Sequence, residues 1–333
     1  MEHSISDPSR NCNYVSKVIS QVQTVRHGVP QGSIRGPLWF LCYLRGLPGV
    51  MSVGGAACLY ADDTNITVRG DSKESIEIAS FLNLSNAKGF LDSKNLLINP
   101  NKSNFISSCT KQTQDKLSPN IFLDDKKLDQ VECTKFLGLL IDEHLSWDKH
   151  IDHVVNRMSS GLYAMRQLYK ICNSKTLLTI YYSLVHSHLA YGISLYGATK
   201  KGNLDRILLQ QKRGIRIMHN LKKTDSVKNL FIELGILTVY GLYILETATY
   251  AKQLVNETSD EYRHPYNTRF HRNVDRHNLE FYKKKTKYIG NRFLHCLPRT
   301  FLTEANNKLF KNKLKDYLIR LAPYSLEEFG DSL

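Results

Sequence analysis

Asp62 and Asp63 stand at the centre of residues 56–68, a stretch that reads as strand, tight turn, strand, with both acids at the tip of a β-hairpin. A turn projects neighbouring side chains toward one point, and paired carboxylates hold hard divalent cations such as magnesium through oxygen. Two such ions, about 4 Å apart, clamp the attacking and leaving oxygens of a phosphoryl transfer. Asp-Asp-Thr-Asn is also good turn chemistry, and the two acids taken alone fit a structural reading more often than a catalytic one. Upstream lies Gly28-Val29-Pro30-Gln31-Gly32-Ser33-Ile34-Arg35-Gly36-Pro37, a flexible loop opening on an apolar run. It reads as a loop feeding a helix whose N-terminus is open to anions. Other constellations are weaker. The pairs His150/His153 and His186/His188 lack a Cys or acidic partner at zinc-site spacing and read as ordinary surface or core histidines.

The elements that must position these residues follow from periodicity. Val15, Val18, Ile19, Val22 and Val25 resemble short strand material. Residues 38–47 predict a helix with Pro37 at its first position and Leu38, Leu41 and Leu44 on one face. Another helix is predicted from Ser72 to about residue 95, with Ile76, Ala79, Leu82 and Phe90 near one side, and short strands and turns fill residues 97–142. After Trp147 the period turns helical. Ile151, Val154, Met158, Leu162, Met165 and Leu168 share one face, as do Leu177, Ile180, Tyr181, Leu184, Val185 and His188 on a helix that Ser174 could cap. A third helix, over 203–220, is apolar at Leu204, Ile207, Leu208, Ile215 and Met218 and basic at Arg206, Lys212, Arg213 and Arg216. Further helices are expected at 226–255 and 303–321, and the change of period near residue 146 is the expected domain boundary.

Composition narrows the class. With 333 residues and 42% hydrophobic content the chain has room for two or three cores and is not a disordered tail protein. It has no uninterrupted apolar stretch of about 18 residues, and its start, Met1-Glu2-His3-Ser4, is no secretion signal, so the expected location is intracellular, nuclear or cytoplasmic. Seven cysteines without a Cys-x-x-Cys pair form neither a disulfide framework nor a zinc ribbon and read mostly as small buried hydrophobes. Net charge is +14, and residues 200–333 alone hold 25 Lys/Arg against 14 Asp/Glu. A polyanion partner is the direct inference, with plain solubility as its rival. The run Lys283-Lys284-Lys285-Thr286-Lys287 reads as a nuclear localisation signal, a phosphate contact or a solvated charge run.

Gly28-Val29-Pro30-Gln31-Gly32-Ser33 followed by Leu59-Tyr60-Ala61-Asp62-Asp63 resembles motif B and the Tyr-x-Asp-Asp motif C of reverse transcriptases from non-LTR (LINE-type) retrotransposons. The likeness continues through Leu97-Ile98-Asn99-Pro100-Asn101-Lys102, similar to motif D, and Lys135-Phe136-Leu137-Gly138-Leu139-Leu140-Ile141-Asp142, similar to the primer-grip region. Leu189-Ala190-Tyr191-Gly192, Gln211-Lys212-Arg213-Gly214-Ile215-Arg216 and His264-Pro265-Tyr266-Asn267-Thr268-Arg269 are similar to jockey-like members. The resemblance implies an α+β fold: a partial polymerase palm of antiparallel strands with helices, then an all-helical thumb and a C-terminal extension. The expected segments are 1–27, a short N-terminal remnant; 28–145, the partial palm; 146–255, the thumb-like region; and 256–333, the basic extension.

By the same resemblance Asp62 and Asp63 would bind two catalytic Mg2+ ions. Pro30, Gln31, Gly32, Tyr60 and Ala61 would contact template and incoming nucleotide, with Lys102 near the triphosphate. Phe136, Leu137 and Gly138 would form the primer grip, and Lys212, Arg213 and Arg216 would contact phosphates. The implied partners are an RNA template with a DNA primer, or an RNA–DNA hybrid, plus a dNTP; no membrane is implied. The family site needs a third acid, from motif A. Asp7 is the sole aspartate before motif B here, in a segment without strand pattern, and Arg35 and Leu44-Arg45-Gly46 depart from the usual residues. The chain is therefore expected to be a fragment of a magnesium-dependent RNA-directed DNA polymerase with little activity alone. The alternative is a non-catalytic remnant that binds RNA or RNA–DNA hybrid.

Overall fold

The computed structural model describes residues 10–11, 14–15, 18–19, 23–24, 32–108, 118–257, 280–302, 304 and 306–331. The chain divides into two compact units, Met1–Glu132 and Cys133–Leu333. It is a mixed helix and strand protein whose described sheets are all two-stranded.

The first unit begins with four two-residue strands, β1 (Arg10–Asn11), β2 (Tyr14–Val15), β3 (Val18–Ile19) and β4 (Gln23–Thr24), paired β1 with β4 and β2 with β3. Val15, Val18 and Ile19 are thus in strands; Val22 and Val25 lie outside the described residues. Helix α1 (Arg35–Leu44) is followed by the short α2 (Leu47–Val50). Two expectations fail here. Pro37 is the third helical residue, behind an Ile34 N-cap, and Leu38 and Leu41 are 60% and 56% exposed. The stripe that packs is Phe40, Leu44, Leu47 and Met51, spaced four, three and four residues apart across the break at Arg45-Gly46.

Strands β5 (Gly55–Tyr60) and β6 (Asp63–Val68) form the expected antiparallel hairpin. Its period of two turns Ala57, Leu59 and Ile66 toward the small core of Leu44, Leu47, Met51 and Ala87. Helix α3 (Lys73–Ser93) opens with a capping box in which Ser72 and Ser75 exchange side-chain-to-backbone bonds of 3.2 Å each. Its inner positions are Ala79, Asn83 and Ala87, whereas Leu82, expected on the packed side, is 41% exposed. Asn83 earns its buried place by donating to Val53 O and Ala79 O and accepting from Val53 N. Beyond it come β7 (Asn104–Phe105), β8 (Phe122–Leu123), β9 (Lys126–Lys127) and β10 (Asp129–Gln130), with β8 antiparallel to β9 and β10 parallel to β7.

The second unit begins with a hairpin of β11 (Cys133–Phe136) and β12 (Leu139–Asp142) and is otherwise helical. Helix α4 (Asp148–Leu168) buries Ile151, Val154, Met158, Leu162 and Met165, as its period requires. Asp142 sets its start. The carboxylate accepts from the N–H groups of His144, Ser146 and Trp147 at 3.1, 2.9 and 2.8 Å, leading the chain through a left-handed Trp147 into the helix.

Helix α5 (Ser174–Tyr181) is capped by Asn173, whose Oδ1 accepts from Thr176 N at 2.8 Å, and not by Ser174, which is already helical. It runs through a π-turn at Tyr182–His186 into α6 (Ser187–Ala190), followed by α7 (Ile193–Tyr196). Leu177, Tyr181 and Val185 are buried as expected, whereas Leu184 is 39% exposed and His188 is exposed. Helix α8 (Lys201–Met218) buries the five predicted apolar residues.

The expected helix at 226–255 is two, α9 (Lys228–Glu233) and α10 (Val239–Glu257). Buried Gln211 marks the break, accepting from Val239 N at 2.7 Å and donating to Leu237 O at 3.0 Å. Then follow α11 (Thr286–His295), α12 (Arg299–Leu302), α13 (Asn307–Leu321) and α14 (Leu326–Asp331), all packed on one large core. The cysteines depart from expectation: Cys42, Cys58 and Cys296 are exposed, Cys133 and Cys172 half-buried, and all five are free thiols. Among the described residues no helix is long and apolar enough to cross a membrane.

Candidate active site and nucleic-acid interface

The β5–β6 hairpin closes through a two-residue turn, Ala61-Asp62, with Tyr60 opposite Asp63 and Ala61 in the left-handed region at φ +53°. Alternation places Asp63 with Tyr60, Cys58, Asn65 and Thr67 on the face away from the core. Both aspartates are exposed, and among the described residues neither carboxylate has a hydrogen-bond or ion-pair partner. An acid that serves a turn usually bonds the backbone two residues on. These two are instead free hard-oxygen donors of the kind that suits magnesium. Among the described residues no group of three or more His, Cys, Asp or Glu could hold a metal, so the pair is a partial donor set.

Of the upstream loop, Gly32 is described, at φ +83°, and Ser33 Oγ accepts from Arg35 N at 3.3 Å at the entrance to α1. Pro30 and Gln31 lie outside the described residues. Lys102 ends a compact 3-10 turn, Pro100–Lys102, in which Asn99 Oδ1 accepts from Asn101 N at 3.0 Å. It is exposed, and among the described residues its ammonium has no partner.

In the second unit Phe136, Leu137 and Gly138 form the tip of the β11–β12 hairpin, with Leu137 at φ +46° and Gly138 at φ +83°. Both turn residues are left-handed, as in the tightest hairpin turns. Lys212, Arg213 and Arg216 are half-buried on α8 and engaged within the unit. Lys212 lies over the Tyr324 ring, 3.7 Å from its centroid. Arg216 donates twice to Asp225 O, at 3.1 and 2.8 Å, and Arg213 approaches Gln210 Oε1 at 3.4 Å.

A different basic group was not singled out in sequence. Burial lowers the His153 pKa, and so do the neighbouring charges of Arg157, Lys135 and His188. Lys135, Arg157 and His188 are exposed, and they come from β11, α4 and α6. Only the His153/Arg157 pair, four residues apart on one helix, had a signal in the sequence. His150 is instead a core residue. It is 3% exposed, its ring is 4.9 Å from that of Tyr196, and its pKa is pushed down to about 4, by burial first and His153 second. Tyr181 and Tyr196 are fully buried, while Tyr182 and Tyr191 are 39% and 56% exposed.

Residues 5–141 of this mixed helix and strand chain match the family described as reverse transcriptase (RNA-dependent DNA polymerase). The chain is 26% identical over 235 residues to the probable RNA-directed DNA polymerase from transposon X-element of Drosophila melanogaster, covering 67% of this chain and 25% of that protein. It is 28% identical over 247 residues to the corresponding protein from transposon BS of Drosophila melanogaster, covering 70% and 26%. To the RNA-directed DNA polymerase from mobile element jockey of the same species it is 26% identical over 208 residues, covering 59% and 22%. Over about two thirds of its length the chain is thus similar to RNA-directed DNA polymerases of non-LTR retrotransposons. It spans about a quarter of the length of the curated relatives it matches. No solved structure matches it.

Proposed function

We propose that this chain contributes the catalytic-acid hairpin and the nucleic-acid-holding part of a retrotransposon RNA-directed DNA polymerase. The observation that carries the reading is the pair of unpartnered carboxylates, Asp62 and Asp63, at the tip of a hairpin inside the residues that match a reverse transcriptase. Magnesium, when bound, would supply charge neutralisation at the reacting phosphate and at the primer oxygen. Asp62 and Asp63 would hold it, and Lys102 would lie by the triphosphate as a cation for the departing pyrophosphate. Gly32, with Pro30 and Gln31, would approach template and nucleotide through backbone, beside Tyr60 and Ala61. Phe136, Leu137 and Gly138 would contact the primer end. For the phosphates of template and primer we favour the exposed Lys135, Arg157 and His188, with the half-buried His153 among them, over Lys212, Arg213 and Arg216, which already have partners in the unit.

The resemblance implies three acids and this sequence supplies two of them. Purified chain, given a primed RNA template, dNTPs and magnesium, should extend the primer weakly alone. It should extend further when a polypeptide carrying the motif A segment of a relative is added. Asp62→Ala should remove that gain, by about 100-fold or more, without moving the melting temperature, because the side chain touches nothing. Extension that survives Asp62→Ala would sink the proposal.

The charge excess in residues 200–333 favours a second reading, a non-catalytic binder of RNA or RNA–DNA hybrid. It predicts affinity that falls steeply with salt and no extension in any mixture.

A further inference from the structure

One motif has no role in the scheme so far. In Leu189-Ala190-Tyr191-Gly192, Leu189 is fully buried and anchors α6, and Ile193 and Tyr196 anchor α7 with exposures of 1% and 0%. Between these anchors Tyr191 is 56% exposed, so its ring contributes little to the core. Its hydroxyl nonetheless donates to Leu137 O, the carbonyl at the tip of the β11–β12 hairpin.

That carbonyl belongs to a branched residue in the left-handed region, where a side chain crowds its own backbone. An unassisted turn of this type takes Asn-Gly or Gly-Gly rather than Leu-Gly. The rest of the hairpin is fitted to the same turn of chain. A Cβ on Gly138 would stand 3.2 Å from Tyr191 Cε1. A Cβ on Gly192, which has φ +72°, would stand 2.7 Å from Leu139 Cδ2. On the neighbouring strand the Leu140 N–H donates to His150 Nδ1 at 3.4 Å. Sequence-local forces disfavour this tip, and a side chain 54 residues away holds it.

We propose that Tyr191 is a positioning residue that pins Phe136-Leu137-Gly138 in the conformation that receives the primer 3′ end. The inference rests on the primer-contacting reading of that hairpin given above. Tyr191 does not itself meet the primer; it acts through the Leu137 carbonyl. A tie of this kind costs little stability when cut but loosens the geometry at the tip, and positioning errors of that size are where polymer-joining enzymes lose rate.

The test uses the full chain and an RNA template annealed to a DNA primer with 2-aminopurine at its 3′ end. Wild-type protein should alter the emission on binding. Tyr191→Phe keeps the ring and removes the hydroxyl. It should keep duplex affinity within about twofold and cut the emission change by about twofold or more. Thr199→Val, which deletes the comparable bond from Thr199 Oγ1 to Ser146 O at 2.9 Å, should leave the emission change intact. Hydrogen exchange reads the pin without nucleic acid: the Gly138 and Leu139 amides should exchange about fivefold faster in Tyr191→Phe, while α8 amides keep their rates.

Equal emission and exchange in Tyr191→Phe and wild type would overturn the pin alone. An equal loss of emission in Thr199→Val would overturn it too, by making the effect one of general stability. Wild-type binding without any emission change would instead bring down the primer-contact reading, and the pin with it.

Discussion

His150 shows how one residue ties the hairpin to the helices and leaves a titration signature. Its Nδ1 accepts from Leu140 N, so the ring is neutral, and burial holds its pKa near 4 against an ordinary 6.5. The unfolded chain therefore takes up the proton first as pH falls. Stability is full above about pH 6.5 and declines toward pH 4, by at most about 1.4 kcal/mol per pH unit. A melting-temperature series should be flat above neutrality and fall across that window, and His150→Gln, which keeps an acceptor without titrating, should flatten the fall. Asp142 acts lower. Burial pushes its carboxyl up, but the N–H groups of Ser146, Trp147 and His144 outweigh this and hold it below 3.8, so its contribution persists until the acid falls through that lower value. The two windows are separable. At this scale the sequence was legible where the signal is local, as in the placement of Asp62 and Asp63 at a hairpin turn. It was opaque where a partner is remote: nothing near Lys212 announces Tyr324, and nothing near Leu137 announces Tyr191.

Among the elements, α10 and α11 cross closely. A Cβ on Gly290 would stand 2.5 Å from both Ala251 Cβ and Thr247 O. Gly290→Ala gains helix propensity of up to about 1 kcal/mol yet must push the helices apart, so a net loss of about 1–3 kcal/mol is expected in denaturant midpoints. A variant as stable as the parent would mean that the crossing has slack. The faces of α4 and α8 could be read in advance because long helices average their period over many residues. Helix α1 was legible only at Leu44: ten residues that end before Arg45-Gly46 offer two apolar stripes, and only tertiary packing chose Phe40 over Leu38 and Leu41. The cap at Asn173 and the π-turn at Tyr182–His186 are likewise shifts of a residue or so, below what pattern resolves.

Over the whole molecule the two units differ in how much apolar surface they enclose. Among the described residues the first has a small cluster of four buried residues, Leu44, Leu47, Met51 and Ala87, whereas the second organises the apolar residues of α4 through α14 in one large cluster. Residues 133–333 expressed alone should fold, with a melting transition matching the upper of two in the full chain. A fragment without a cooperative transition would show that its core needs the first unit. The basic excess of residues 200–333 and the change of period were both legible, but the division itself falls between Glu132 and Cys133, before the expected residue 146. The reason is the β11–β12 hairpin, a strand pair by pattern that packs on the helices: Leu139 lies in their core and the Leu140 N–H donates to His150 Nδ1. For anyone splicing hybrids from these elements, a join at 132/133 leaves each apolar cluster whole, whereas one at 145/146 would separate Asp142 in origin from the Ser146 and Trp147 amides it must match.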